Sequence, residues 1–193
     1  MEPNHSNPAS TRPTGTTGQR CRGMKAALLG AALLTVAGAQ TSFASPADEA
    51  RIAGVISAVA VYADNRDFRP LERFFAPETT IDYTSLWGGE PQRFAPSALM
   101  DAWADLLPGF DATRHELSDI QVEIGDGAAT AQASVRATHW LGDRMWVVAG
   151  SYEYALIRTG SGWQVSRMTL HLAEESGDRT LVEEATAKVA RAK

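Results

Sequence analysis

The chain of 193 residues has one cysteine, Cys21. A single thiol near the N-terminus rules out an internal disulfide framework and offers no paired-cysteine metal or redox motif. No apolar run is long enough to span a bilayer as a stable helix. Basic residues are in deficit, with 18 Lys and Arg against 23 Asp and Glu. That balance argues against nucleic acid and anionic membrane surfaces as partners, since both need a basic footprint. Zinc-ligand spacing, a phosphate-binding glycine loop, a dinucleotide fingerprint and a nucleophile elbow are all missing. His115 and His139 are 24 residues apart and form a weak metal signature.

Hydrophobic residues make up 44% and charged residues 21% of the chain, enough apolar content for one domain with a sizeable core. The first 44 residues read differently from the rest. Residues 1–23 are rich in Pro, Ser, Thr, Gly and Asn. Arg20, Arg22 and Lys25 form a positive cluster before the apolar stretch 26–39, and Ser42-Phe43-Ala44 follows. Positive region, short apolar region and small-x-small site are the parts of a secretory signal peptide. The expectation is a leader over 1–44, cleavage after Ala44, and an exported mature chain, periplasmic or secreted, with no membrane span. Met24-Lys25 would itself make an ordinary signal start. Cleavage removes Cys21 and a net charge of +3, taking the formal charge from −5 to −8.

From Ser45 onward the order is helices first, then strands. Ser45-Pro46-Ala47-Asp48 reads as a helix start, with Ser45 as N-cap and Pro46 at the first helical position. Ile52, Val55, Ile56, Val59 and Ala63 recur at helical spacing and give one apolar stripe ending near Asn65. A short helix is expected over 68–75, a strand over 79–84, a loop over 86–95 and a third helix over 96–107. Strands over 114–124, 129–141, 145–158 and 162–173 follow, joined by glycine-containing turns, with a terminal helix over 180–191. Strands this long with turns this short must twist and curl. The expected fold is α+β: a cone-shaped, strongly curved antiparallel sheet packed on N-terminal helices and enclosing a pocket, a cystatin-like α+β roll.

Alternation along one strand puts Ala131, Ala133, Val135, Ala137 and His139 on one face and Gln132, Ser134, Arg136, Thr138 and Trp140 on the other. Small inward residues leave room for a ligand, and His139 would project into that space. Equally, His139 is a core histidine held by one hydrogen bond. His115 falls on the opposite parity from Ile120, Val122 and Ile124, so either a bulge intervenes or it points away. Asp64, at the edge of the helical stripe, is either exposed or paired with an imidazole, whose tautomer it would fix. The Tyr83 phenol would polarise a carbonyl, or it is a half-buried strand aromatic. Tyr62, Trp87, Trp103 and Tyr152 are candidates for the pocket wall or for ordinary core.

Tyr62-Ala63-Asp64-Asn65-Arg66-Asp67 running to Leu71, then Phe75-Ala76-Pro77-Glu78 and Ile81-Asp82-Tyr83, make an ordered series. Thr113-Arg114-His115, Ala137-Thr138-His139, Gly150-Ser151-Tyr152 and Gly162-Trp163 continue it. The series resembles the SnoaL-like branch of the nuclear transport factor two-like superfamily over about residues 48–173. Within it, the chain looks most like the scytalone dehydratase type. That resemblance implies a cofactor-free lyase, a dehydratase or isomerase-like proton-transfer enzyme acting on a small hydrophobic hydroxy-carbonyl molecule. Asp64 takes the aspartate position, His115 the histidine it orients, His139 the second histidine and Tyr83 one tyrosine. Related dehydrochlorinases use the same Asp–His pair to remove a proton beside a leaving group. The series departs from the family at Ala63, where a second tyrosine is expected, and at Gly150, where a serine is. A non-catalytic exported binder of a hydrophobic small molecule shares the fold, as does a module that dimerises through Arg136, Thr138 and Trp140. The resemblance also implies a homo-oligomer, dimer or trimer.

Overall fold

The computed structural model describes residues 45–193. The leader assigned to 1–44, Cys21 included, lies outside the described residues. Helix α1 runs Pro46–Asp64 and buries Ile52, Ile56, Val59 and Ala63, the stripe that the spacing predicts. Ile52 and Ile56 are fully buried, each contributing about 1.5–3 kcal/mol from apolar burial. The helix does start after Ser45, but the serine side chain makes no capping bond. Asp48 instead ties the first turn outward, accepting from Arg51 at 3.0 Å, Arg158 at 3.2 Å and the Trp163 indole at 3.4 Å.

The region 68–75 is shorter in helix than expected. A one-turn α2 (Phe68–Leu71) passes into a 3₁₀ turn, Glu72–Phe74, and the chain enters strand β1 (Phe75–Asp82). The expected loop contains a one-turn α3 (Thr84–Trp87) and a three-residue strand β2 (Gln92–Phe94). Helix α4 (Pro96–Ala104) ends before a second 3₁₀ turn, Leu107–Gly109. The four long strands are β3 (Ala112–Ile124), β4 (Ala128–Leu141), β5 (Arg144–Thr159) and β6 (Gly162–Gly177), and α5 (Leu181–Ala192) closes the chain.

All six strands form one sheet in the order β2-β1-β6-β5-β4-β3. The long strands make the expected antiparallel meander. One pairing corrects the expectation of a wholly antiparallel sheet: β1 runs parallel to β6. The meander brings β6 back beside the first strand, and the intervening helices reverse the chain enough for the two to align. The sheet is therefore mixed, and helix α1 packs against β3 and β6.

Three register shifts interrupt the pairing of the four long strands. In β3 the register shifts between Ser118 and Gln121, where Asp119 takes φ 52°. This bulge resolves the parity of His115: Thr113, His115 and Leu117 share a face with Ile120, Val122 and Ile124 because one extra residue intervenes. Two further shifts lie in β6, opposite Ala149/Gly150 and Ala155/Leu156. On β4 the inward set, Ala131 to His139, is buried, while Gln132, Ser134 and Arg136 are exposed on the outer face, with Thr138 buried among its strand neighbours.

Helix α5 leans on the 3₁₀ turn. A Cβ at Gly109 would stand 2.1 Å from the Ala185 carbonyl oxygen. Gly109→Ala must push α5 away, and overpacking of this kind costs about 1–3 kcal/mol. The variant should lose several degrees of Tm, and limited proteolysis should release the C-terminal helix before the domain is cut.

Candidate functional site

Asp64 is the last residue of α1, at the end where helix carbonyls carry partial negative charge. A carboxylate there is unfavourable without compensation, and β3 supplies it. The Thr113 hydroxyl donates to Asp64 Oδ1 at 2.9 Å, the His115 backbone N–H donates to Oδ2 at 2.7 Å, and His115 Nδ1 lies 2.7 Å from Oδ1. Both side chains of the pair are mostly sheltered, with 19% exposure for Asp64 and 14% for His115. Burial alone would raise the Asp64 pKa. The His115 imidazole, its backbone N–H and the Thr113 hydroxyl outweigh that and hold it below the ordinary 3.8. The pair therefore places an ionised carboxylate against Nδ1, which must carry the proton, and leaves Nε2 as the basic atom for the cavity.

Arg66 was no candidate from sequence, yet it fixes the corner that carries Asp64. It adopts φ 58°, and its guanidinium donates to the carbonyl of Asp64. The same group reaches the carbonyls of Leu107 at 3.3 Å and Phe110 at 3.2 Å. One side chain thus joins the end of α1 to the 3₁₀ turn over the pocket.

His139 is 5% exposed and packs between aromatic rings, with centroid distances of 4.9 Å to Phe110 and 4.7 Å to Trp146. The His115 ring is edge-on to it at 5.6 Å. Burial, and then the neighbouring His115, push the His139 pKa from 6.5 down to about 4. At neutral pH it is an uncharged imidazole. Its Nδ1 faces the Trp146 carbonyl at a long 3.4 Å, so Nδ1 is the donor and Nε2 is left with its lone pair. Both readings left open by the sequence hold together: His139 has its one core hydrogen bond and also lines the cavity.

The cavity has a volume of about 120 Å³ and opens to solvent on one side. Ala63, Ala137 and Val148 keep it wide, and Trp87, Trp103 and Trp146 supply flat walls. His115, His139, Tyr83, Trp87, Trp103 and Tyr152 all line it. Tyr62 does not, which corrects its assignment to the wall. It sits beside Ala63 but is turned outward, where its ring packs on Phe74 at 5.6 Å and its hydroxyl accepts from Arg73 at 3.3 Å. The turn of about 100° per helical residue separates it from the buried stripe.

Trp146 was missed. It pairs with His139 across β4 and β5, donates its indole N–H to Glu175 at 2.8 Å, and tilts against the half-exposed Trp87 at 5.7 Å. Alternation offered a signal, since Trp146, Val148, Tyr152 and Tyr154 share parity. Tyr154, also missed, lines the cavity from the same face. Gly150 shares that parity but has no freedom to carry a side chain: a Cβ there would meet the His171 carbonyl oxygen at 2.1 Å. The bulge in β6 occupies the space a serine would need.

Among the described residues, no group of three or more His, Cys, Asp and Glu lies together in a metal-binding arrangement, and no helix is long and apolar enough to cross a membrane.

Known proteins align with this architecture. The Kfla4162 protein from Kribbella flavida is 31% identical, with a TM-score of 0.68 over 71% of this chain and 97% of that one. A Novosphingobium aromaticivorans protein proposed to be a scytalone dehydratase aligns with a TM-score of 0.58 at 16% identity, over 68% of this chain and 88% of that one. A type 2 hexachlorocyclohexane dehydrochlorinase, LinA, aligns with a TM-score of 0.57 at 15% identity, over 69% of this chain and 93% of that one. The last two likenesses concern the fold. The profile of the SnoaL-like domain matches residues 44–169, and the chain belongs to that family, within the nuclear transport factor two-like superfamily.

Proposed function

We propose that this protein is a lyase that removes water from a small, uncharged, hydrophobic hydroxy-carbonyl compound by proton transfer, without a cofactor. The observation that carries the proposal is the Asp64–His115 pair, joined at 2.7 Å and opening on an apolar cavity. Dehydratase- and dehydrochlorinase-type proteins of the same fold support an elimination.

In this reading His115 Nε2 takes the proton from the carbon next to the carbonyl. The C–H electron pair moves into the carbonyl, and the developing oxyanion is met by the Tyr83 phenol. Burial, with help from neighbouring tyrosines, raises the Tyr83 pKa well above 10, so it stays protonated and donates. The enolate then collapses, a C=C bond forms, and the C–O bond of the neighbouring hydroxyl breaks. The departing oxygen takes the proton back from His115 and leaves as water. His139, neutral and with a free Nε2, accepts a hydrogen bond from that hydroxyl in the bound state and orients it. It is a poor proton donor at neutral pH. A leader over residues 1–44 would place this activity outside the cytoplasm and is part of the proposal.

The test is a panel of cyclic and aryl β-hydroxy ketones incubated with residues 45–193, with the rise in ultraviolet absorbance of the conjugated product followed over time. Turnover that disappears in His115→Gln supports the lyase. The apolar walls also suit a binder without chemistry. For that second reading, ligands should bind with no turnover, and His115→Gln should leave their affinity nearly unchanged.

A further inference from the structure

One side chain belongs both to the cavity wall and to the surface. Among the described residues that line the cavity, Trp87 alone is exposed, at 44%. It is the last residue of α3, and its ring stands where the cavity meets solvent. One neighbour is the buried Trp146, whose ring tilts against it at 5.7 Å. Another is the exposed Arg179, whose guanidinium carbon lies 4.8 Å from the Trp87 ring centroid. A cation over an indole face is attracted by the negative potential of the ring.

Arg179 is itself fixed between β6 and α5. Its guanidinium donates to Glu175 Oε2 at 2.8 Å and to the Leu86 carbonyl at 2.8 Å. The other Glu175 oxygen accepts the Trp146 indole N–H. Glu175 thus joins the inner tryptophan to the cation that holds the outer one. The start of α3 is pinned separately. The Ser85 hydroxyl donates to the Leu170 carbonyl at 2.6 Å and accepts from the Leu172 N–H at 3.2 Å. Beyond Trp87, Gly88 and Gly89 take φ 72° and 77°. Among the described residues, a Cβ on either would meet nothing within 4 Å. Arg179 holds the ring, and the chain that follows leaves it uncrowded.

The space behind the ring is small. An apolar cavity of about 150 Å³ takes one benzene ring, and this one has about 120 Å³. Its walls are aromatic and aliphatic, which suits a ring. We propose that Trp87, held by Arg179, is a gate that limits the site to ligands of one ring, and that a fused two-ring ligand enters only when Trp87 swings outward. This deepens the proposed function and rests on its reading of the cavity as the substrate site. The substrate is then a one-ring hydroxy-carbonyl compound. Arg179 acts through Trp87 and is a positioning residue. The size limit is a property of binding and is measured without turnover.

Acetophenone and 2-acetonaphthone are neutral aryl ketones of one and two rings, and neither carries a hydroxyl to eliminate. Isothermal titration calorimetry of the purified protein gives a Kd for each. Wild type should bind acetophenone more tightly. A size mismatch in an apolar pocket changes affinity about tenfold or more, so Trp87→Ala should tighten 2-acetonaphthone by about that factor. Acetophenone should change much less. Arg179→Gln should act in the same direction by a smaller factor, because it makes the open state more populated. Arg179→Lys keeps the cation and should return the ratio of the two constants towards wild type. In the Trp87→Ala background, Arg179→Gln should add nothing, whereas a purely structural effect of Arg179 would persist there. Tyr62→Phe, outside the cavity, should leave the ratio as it is. Should Trp87→Ala not fold, Trp87→Leu and the two Arg179 substitutions decide. The proposal is overturned if wild type binds 2-acetonaphthone as tightly as acetophenone, if opening the gate leaves the ratio unchanged, or if neither ketone binds at millimolar concentration. His115→Gln separates the two claims, since it should keep the ratio while losing elimination. A ratio that responds to Trp87 without turnover of any hydroxy ketone indicts the chemistry. Turnover that is equally fast on one-ring and two-ring substrates indicts the gate.

Discussion

Replacing His115 with glutamine is expected to lower elimination by about 10²–10⁴-fold, the contribution of a positioned general base. Glutamine keeps the backbone N–H that donates to Asp64 at 2.7 Å and approximates the volume of imidazole, so the fold should persist with a Tm within a few degrees of wild type. The loss should fall on kcat, because the base acts in the transition state and contributes little to ground-state binding. Asp64→Asn should lower kcat in the same direction. The amide still meets Thr113 and the β3 backbone, but it no longer presents a full negative charge to Nδ1. A steady-state comparison of the two variants checks both statements. A variant with unchanged kcat would remove the pair from the mechanism.

Acid should weaken the fold in a window set by His139. Its pKa is lowered from 6.5 to about 4 in the folded chain. Between those values the unfolded chain binds a proton that the folded chain does not, so stability rises with pH. It is fully present above about pH 6.5 and is lost progressively as the pH falls towards 4. The lowering corresponds to at most about 3 kcal/mol. Asp64 acts lower down. Its depressed pKa gives stability that is present above its ordinary 3.8 and is lost as the pH falls through the folded value. Urea unfolding at pH 7, 5.5 and 4.5 should show a falling free energy for wild type and a flatter profile for His139→Gln. Parallel profiles would contradict the assignment of a buried neutral imidazole.

The sequence carried the site further than it carried the sheet edge. Alternation on β4 placed His139 inward with small neighbours, and helical spacing put Asp64 at the border of a buried stripe. Those are local periodicities, and they survive folding. The direction of His115 was undecidable because a bulge at Asp119 changes the parity, and a bulge depends on pairing with another strand. The parallel contact of β1 with β6 was illegible for a similar reason: the partners are about 90 residues apart in the chain. Arg66 could not be read as a clamp, since its acceptors are carbonyls of a distant turn. Gly150 marks the opposite case. Its departure from the family pattern was visible, and the close approach of β6 that enforces it was not.

The central claim is that Asp64 sets the proton on His115 so that Nε2 faces the cavity as a base. Long-range ¹H–¹⁵N NMR of the uniformly labelled protein, at a pH where the ring is neutral, reads the tautomer directly. A protonated Nδ1 and an unprotonated Nε2 are expected on His115 in the wild type, with a loss of that preference in Asp64→Asn. A wild-type His115 protonated at Nε2, or one whose tautomer is the same in both proteins, would contradict the claim.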